Sequence, residues 1–281
     1  MDKIHKNDNN WLRRKALESI YHAKSGHPGG VLSCIDIIDI LYSDVMDFSV
    51  DNLDAENRDR FILSKGHSAP ALYAVAAKMG ILEIEELNGL RKINHHMQAH
   101  THRGTMPWVE ASTGSLGQGF SFAIGEALGL KLQSIDNRVY VMIGDGEMQE
   151  GEIWEGSMFA AHYKLDNLCT VLDYNKQQSD DWNKNIIGLE PVREKWEAFG
   201  WQVIEIDGHD DSEIKAAFIT AKIEKSKPTI IIAHTIKGKG VSFMESIPTW
   251  HGSVKLSDED LKSALSELGA TSNEIERILN G

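Results

Sequence analysis

The chain reads as an α/β protein, a mostly parallel sheet with helices on both faces. Three observations predict this class. Apolar runs with no polar alternation recur at Val139-Tyr140-Val141-Met142-Ile143, Leu168-Cys169-Thr170-Val171-Leu172, Val203-Ile204-Glu205-Ile206 and Thr229-Ile230-Ile231-Ile232-Ala233. Strands buried on both sides have that composition. Segments of helical pattern fall between successive runs, as parallel crossovers require. Glycines and polar residues follow directly on the first runs, at the strand ends where such sheets take their ligands.

The elements follow in order. The start, Met1-Asp2-Lys3-Ile4-His5-Lys6-Asn7-Asp8, lacks the apolar stretch of a signal peptide. Residues 11–24 carry a helical pattern, which Ser25-Gly26-His27-Pro28-Gly29-Gly30 interrupts. Val31, Ile35, Ile38, Tyr42 and Val45 then recur at steps of three and four, predicting a second helix. Asp59 to Ser64 predicts a short strand ending in Lys65-Gly66-His67, and the alanine-rich stretch from Ala69 to Met79 returns to helix. Residues 88–113 hold three glycine or proline breaks and four histidines, with no sustained period. A loop this long in a compact chain is usually functional or disordered, and its histidines and Trp108 argue against disorder.

Beyond it the pattern is regular. Helices are predicted at Leu116–Leu132, Glu152–Tyr163, Pro191–Phe199 and 211–225, between the four apolar runs. The acid-rich tail from Ser257 predicts two short helices. The expectation is one domain over 1–281, with a small helical tail at about 255–281.

Composition narrows the function. Of 281 residues, 41% are hydrophobic and 25% charged, ordinary for a globular protein. The net charge of −13 argues against a nucleic-acid footprint. No run approaches a membrane span. Cys34 and Cys169 are too few for a disulfide framework, and Cys169 inside an apolar run reads as a small buried thiol. A reduced, cytoplasmic setting is expected.

The strand 139–143 runs straight into Gly144-Asp145-Gly146-Glu147. Flanking glycines let the backbone turn tightly and approach a ligand. Alone, such a turn is common and carries no function. The next strand, however, ends at Asp173-Tyr174-Asn175, and Asn175 follows Asp145 by 30 residues. A strand, a crossover helix and a strand need about that many. The spacing therefore puts both side chains at neighbouring strand ends. A carboxylate and an amide carbonyl are hard oxygen ligands suited to Mg2+, which takes one or two protein groups plus phosphate oxygens. A metal would let an acidic protein hold an anionic ligand.

The chain has 12 histidines. A single one is most often structural or solvated, but His27, His67 and His251 each sit beside glycine in a predicted loop, where little packs around them. Such a cluster of neutral, titratable donors suits proton transfer to and from hydroxyls and carbonyls near pH 7.

Together these segments resemble the transketolase family. Ser25-Gly26-His27-Pro28-Gly29, Ser64-Lys65-Gly66-His67, Thr113-Gly114-Ser115-Leu116-Gly117-Gln118-Gly119, the Asp145–Asn175 segment and His234-Thr235-Ile236-Lys237-Gly238-Lys239-Gly240-Val241-Ser242 occur in family order, from about residue 11 to 252. The resemblance implies a thiamine-diphosphate-binding fold, with Asp145, Asn175 and the Gln177 carbonyl holding Mg2+. It implies that His27, His67, His100 and His251 are catalytic, and that His67 and His251 also touch the cofactor. Gly114, Ser115, Leu116, Gly144, Gly146 and Glu150 complete the implied cofactor set with Asp145 and Asn175. Glu150 and Glu155 would also join a carboxylate network across a subunit interface, although acids at a helix start need no such role. In the long loop His100 takes the family's histidine position, counted back from Pro107. Thr101 stands where the family has proline, Trp108 where it commonly has glycine, and His102 is a second candidate.

Transketolases run to more than twice this length and carry a second domain that binds the aminopyrimidine and supplies its activating glutamate. The expectation is therefore a two-subunit transketolase. This chain would be the N-terminal subunit, with a separate C-terminal subunit completing the site and two copies of each. It would transfer a two-carbon ketol unit from a ketose, as a sugar phosphate, to an aldose. Rival readings are a subunit for a specialised ketose such as a sulfonated sugar, the alpha subunit of another split thiamine-diphosphate enzyme, and a non-catalytic assembly module. Neither nucleic acid nor membrane is an expected partner.

Overall fold

The computed structural model describes residues 8–179 and 181–280. The stretch expected to lack a signal peptide falls mostly on residues 1–7, outside the described residues. Seven strands are present among the described residues: β1 (Arg60–Leu63), β2 (Val139–Gly144), β3 (Leu168–Tyr174), β4 (Gln177–Gln178), β5 (Asp181–Trp182), β6 (Gln202–Asp207) and β7 (Thr229–His234). The five predicted strands form one sheet in the order β1-β2-β3-β7-β6, and every pairing in it is parallel. The fold class is as expected.

Strand side chains alternate between two cores, as the period of two demands. Val139, Val141 and Ile143 of β2 enter one core, while Tyr140 and Met142 enter the other. Leu168 and Leu172 of β3, with Ile230 and Ile232 of β7, repeat the first set. This is why the strands read as unbroken apolar runs.

One face of the sheet is covered by α1 (Asn9–Ala23), α2 (Pro28–Ile40) and α3 (Ala69–Lys78), which build the larger, main core. The opposite face carries α4 (Gln118–Leu132) and α5 (Gly151–His162). A single turn, α6 (Asn183–Ile186), precedes α7 (Val192–Ala198), whose Trp196 is fully buried on that opposite face. Burial of one such ring removes roughly 200 Å2 from water, or about 5 kcal/mol of transfer free energy as an upper figure. Then α8 (Asp211–Ile223), α9 (Asp258–Glu267) and α10 (Ser272–Asn280) return to the main core. The last two are the predicted tail helices, seated there by Leu261, Leu265 and Ile275.

Three details differ from the sequence expectation. The second helix is α-helical only to Ile40 and closes in a wider π-turn over Leu41–Val45. The fourth begins at Gln118 rather than Leu116, because Leu116 belongs to a cavity wall described below. The β4–β5 ribbon was not expected, since two-residue strands leave no periodicity to read. Among the described residues no helix is long and apolar enough to cross a membrane.

Parallel pairing sends the C-terminal ends of β1, β2, β3 and β7 out on one edge of the sheet. Ser64-Lys65-Gly66-His67, Gly144-Asp145, Tyr174-Asn175 and the segment after His234 therefore converge, although up to 170 residues separate them in the chain.

Candidate active site

A cavity of about 270 Å3 opens at that edge. His27, the residue capping α2, lines it from one side. His67, in a short 3-10 turn after β1, and His251, ending another short turn, meet it there. Their ring centroids form a triangle of 5.1 Å between His27 and His67, 5.4 Å between His67 and His251, and 5.6 Å between His27 and His251. Gly252 makes this approach possible: a Cβ there would lie 2.6 Å from the His27 ring.

The expectation that little packs around these histidines is corrected, because each packs against the other two. Their basicity is also depressed below that of a free imidazole. Burial, then Arg91 and His100, lowers His27 to about 4. Burial, then Lys237, lowers His251 to about 3. Burial, then Lys65, takes His67 well below its usual value. At neutral pH the triangle is uncharged, and each ring offers one N–H and one lone pair. The Nδ1 atoms of His27 and His251 are buried with no partner among the described residues.

His100 also lines the cavity, and His102 does not. Thr101 explains the split. Its hydroxyl bonds Thr113 Oγ1 at 2.6 Å and donates to the Ala111 carbonyl at 3.1 Å, which pins the loop with His100 inward. Trp108 is buried in the main core and anchors the same loop.

Opposite the histidines lie Asp145 and Asn175. Gly144 pairs with Asp173 across β2 and β3, so the two side chains follow neighbouring strand ends, as their spacing predicted. Asp145 is 2% exposed and accepts from the Gly146 amide at 2.8 Å and from Asn183 Nδ2 at 2.9 Å. Burial, together with the nearby Asp173 carboxylate, pushes it up to about 7. Asn175 Oδ1 accepts from the Gln177 amide at 3.1 Å and keeps a second lone pair. The side-chain oxygen and nitrogen of Gln177 and the Asn183 Oδ1 are buried without partners among the described residues. A buried carboxylate that resists ionising, bonded by Asn183 and sharing a cavity with the oxygens of Asn175 and Gln177, fits a small divalent cation. No group of three or more His, Cys, Asp or Glu side chains that could hold a metal ion occurs among the described residues. The remaining ligands would have to come from a bound group, as Mg2+ commonly arranges.

Of the other residues singled out from sequence, Gly114, Leu116, Gly144, Gly146 and Gln177 line the cavity. Ser115 and Glu150 do not: both are exposed and outside its wall. Glu150, just before α5, and Glu155, a turn into it, are both exposed, and at the first of these positions an acid costs little.

The sequence reading missed several wall residues. Lys65 stood inside a quoted motif without an assigned role. Its ammonium, 2% exposed, pairs with Asp173 and donates to the Gly30 carbonyl at 3.1 Å. Asp173 also accepts from Ser33 at 2.6 Å and from Thr235, so one fully buried carboxylate ties together α2 and the segments that follow β1 and β7. A charged residue inside an apolar strand was the available signal. Glu147 is a second hub, accepting from Ser64 Oγ, from the Gly117 amide at 2.8 Å and from the Gly144 amide at 3.0 Å. Lys237, 1% exposed, completes the wall from the segment after β7.

Residues 4–278 match the profile described as transketolase, thiamine diphosphate binding domain. The chain is 43% identical over 259 residues to the 6-deoxy-6-sulfo-D-fructose transketolase subunit of Clostridium sp. (strain MSTE9), covering 92% of this chain and 94% of that one. It is 37% identical over 269 residues to a subunit of the apulose-4-phosphate transketolase of Phocaeicola vulgatus, covering 96% and 95%. Among solved structures, the transketolase of Campylobacter jejuni superposes with a TM-score of 0.88 at 31% identity. That match takes in 99% of this chain but only 46% of the longer one.

Proposed function

The chain belongs to the transketolase family, as its thiamine diphosphate-binding part, and from that premise we propose that it is the N-terminal subunit of a two-subunit transketolase. The observation that carries this reading is the meeting of Asp145 and Asn175 with four histidines around one cavity at the sheet's C-terminal edge. The division into two subunits is supported by two relatives that are themselves named transketolase subunits and are matched over 94% and 95% of their chains.

In this reading Asp145, Asn175 and the Gln177 carbonyl would hold Mg2+, which would supply the positive charge that a diphosphate needs in an acidic protein. Gly114 and Leu116 would border the cofactor, and Gly144 and Gly146 would let the backbone come close to it. The exposed Ser115 and Glu150 would touch the cofactor only through a rearrangement or a partner chain. Thiamine diphosphate, when bound, supplies the carbon nucleophile and the electron sink for ketol transfer.

The chain's own residues position and move protons. A ketol donor presents a carbonyl and neighbouring hydroxyls, each needing a donor or an acceptor. His27, His67 and His251 are neutral, so each can accept a hydroxyl proton at one nitrogen and donate from the other. Their depressed basicity makes the protonated form short-lived, returning the proton as the carbon–carbon bond is remade. His100 extends the same line of donors along the wall. Burial, reinforced by the nearby Lys65 ammonium, keeps the imidazoles unprotonated between turnovers.

A second reading concerns the donor. The relatives matched over nearly their whole length are subunits named for a 6-deoxy-6-sulfo-D-fructose and an apulose-4-phosphate transketolase, which supports a specialised ketose, sulfonated or otherwise altered. The test is a ketose panel assayed with this chain, with its C-terminal partner, and with both. Transfer only with both, and with a preferred donor, is the expected result. Ketol transfer by this chain alone would overturn the two-subunit reading.

A further inference from the structure

We propose that His209 and Asp36, neither of them in the cavity, form a clamp with Arg13 that positions residues 236–240 and so keeps Lys237 at the cavity wall. The segment after β7 has neither helix nor strand to hold it. It turns through Gly238 at φ +80° and Gly240 at φ +92°. Beside backbone bonds such as the Ser246 amide to the Lys237 carbonyl at 2.8 Å, two side chains anchor it. His209 Nε2 accepts the Ile236 amide at 2.9 Å, just before Lys237. Arg13 Nε donates to the Lys239 carbonyl at 3.1 Å, just after it.

Both anchors lead to one atom. Asp36 Oδ2, on α2, takes Arg13 Nη2 at 2.5 Å and His209 Nδ1 at 2.7 Å. Asp36 is 2% exposed. Burial alone would raise its carboxyl, but the His209 hydrogen bond and the Arg13 charge outweigh it and hold the group below its usual range. The ionised acid fixes the imidazole as its Nδ1–H tautomer, leaving Nε2 as the acceptor that the Ile236 amide requires. A carboxylate–imidazole–backbone relay of this kind sets orientation in the way outer partners orient metal-bound histidines. The Gly238 amide donates to the Gly29 carbonyl at 3.0 Å, so the clamped segment also fixes the turn that leads out of His27.

The clamp rests on the proposed function only for its purpose, and the test separates the two. Hydrogen exchange is measured on the full chain for the parent, His209→Phe and His209→Gln. Exchange over 236–240 should rise at least tenfold in His209→Phe, with β7 at 229–234 unchanged. His209→Gln, which keeps an acceptor near the Nε2 position, should regain most of the protection. Unchanged exchange at 236–240, or equal acceleration through β7, overturns the clamp. In the assembled enzyme, His209→Phe should raise the KM for thiamine diphosphate about tenfold with kcat changed far less. An unchanged cofactor KM beside faster local exchange overturns the link to the cavity. A parent complex indifferent to thiamine diphosphate sinks the proposed function and leaves the exchange result intact.

Discussion

Asp145 and the histidine triangle respond to pH in opposite senses, and burial is the common cause. Asp145 holds its proton to about pH 7 in the folded chain, whereas an unfolded aspartate releases it near pH 4. Between those values the native state binds the extra proton, so stability of the metal-free chain falls as pH rises. Denaturant titrations from pH 4 to 8 should show that loss, and Asp145→Asn should remove it. Mg2+ should also restore stability at pH 8 to the parent in the presence of thiamine diphosphate, but not to Asp145→Asn. His27 and His251 refuse protons that their unfolded counterparts accept below about pH 6.5. Their contribution is present above that value and is lost as pH falls towards 4 and 3. His251→Gln should flatten the acid limb by up to about 1.4 kcal/mol per pH unit. An acid limb as steep as the parent's would show that this imidazole is not held neutral.

The elements matter because their ends, rather than their lengths, build the site. The start of α4 lies directly on the end of β1, and Gly119 is the point of contact. A Cβ there would meet Ser64 Cα at 2.7 Å, a backbone atom that cannot step aside. Gly119→Ala should cost about 1–3 kcal/mol by overpacking, despite alanine's better helix propensity. Thermal melts should show a lower Tm; a higher one would mean that the junction yields. Because Ser64 also donates to Glu147, the strain would reach the Gly144–Asp145 turn. The β4–β5 ribbon plays a like part on the other side, bringing Asn183 back onto Asp145. Sequence periodicity could locate the long elements to within a few residues. It could not show a two-residue ribbon, nor that Thr101 and the buried Trp108 turn His100 inward while His102 stays out.

At the scale of the whole molecule, one face is unfinished. Phe122 and Leu132 on α4, and Met158, Phe159 and Tyr163 on or just past α5, are 39%, 77%, 52%, 41% and 48% exposed. Apolar side chains left exposed on two packed helices would serve as an association surface. It fits the proposed assembly of two copies of each subunit. Phe122→Glu with Phe159→Glu should lower the molar mass measured by light scattering on the assembled enzyme, and a mass equal to the parent's would place the contact elsewhere. What the sequence determined by itself was local and periodic. It contained the parallel sheet, the strand-end motif, the metal-suited pair Asp145 and Asn175, and the family. What only the tertiary structure decided was electrostatic and convergent. The packing of three loop histidines into an uncharged triangle, the Lys65–Asp173 pair and the Asp36–His209 clamp depend on burial and on contacts between segments remote in the chain. A sequence states which groups are present; desolvation and distance set what those groups do, and both are properties of the fold.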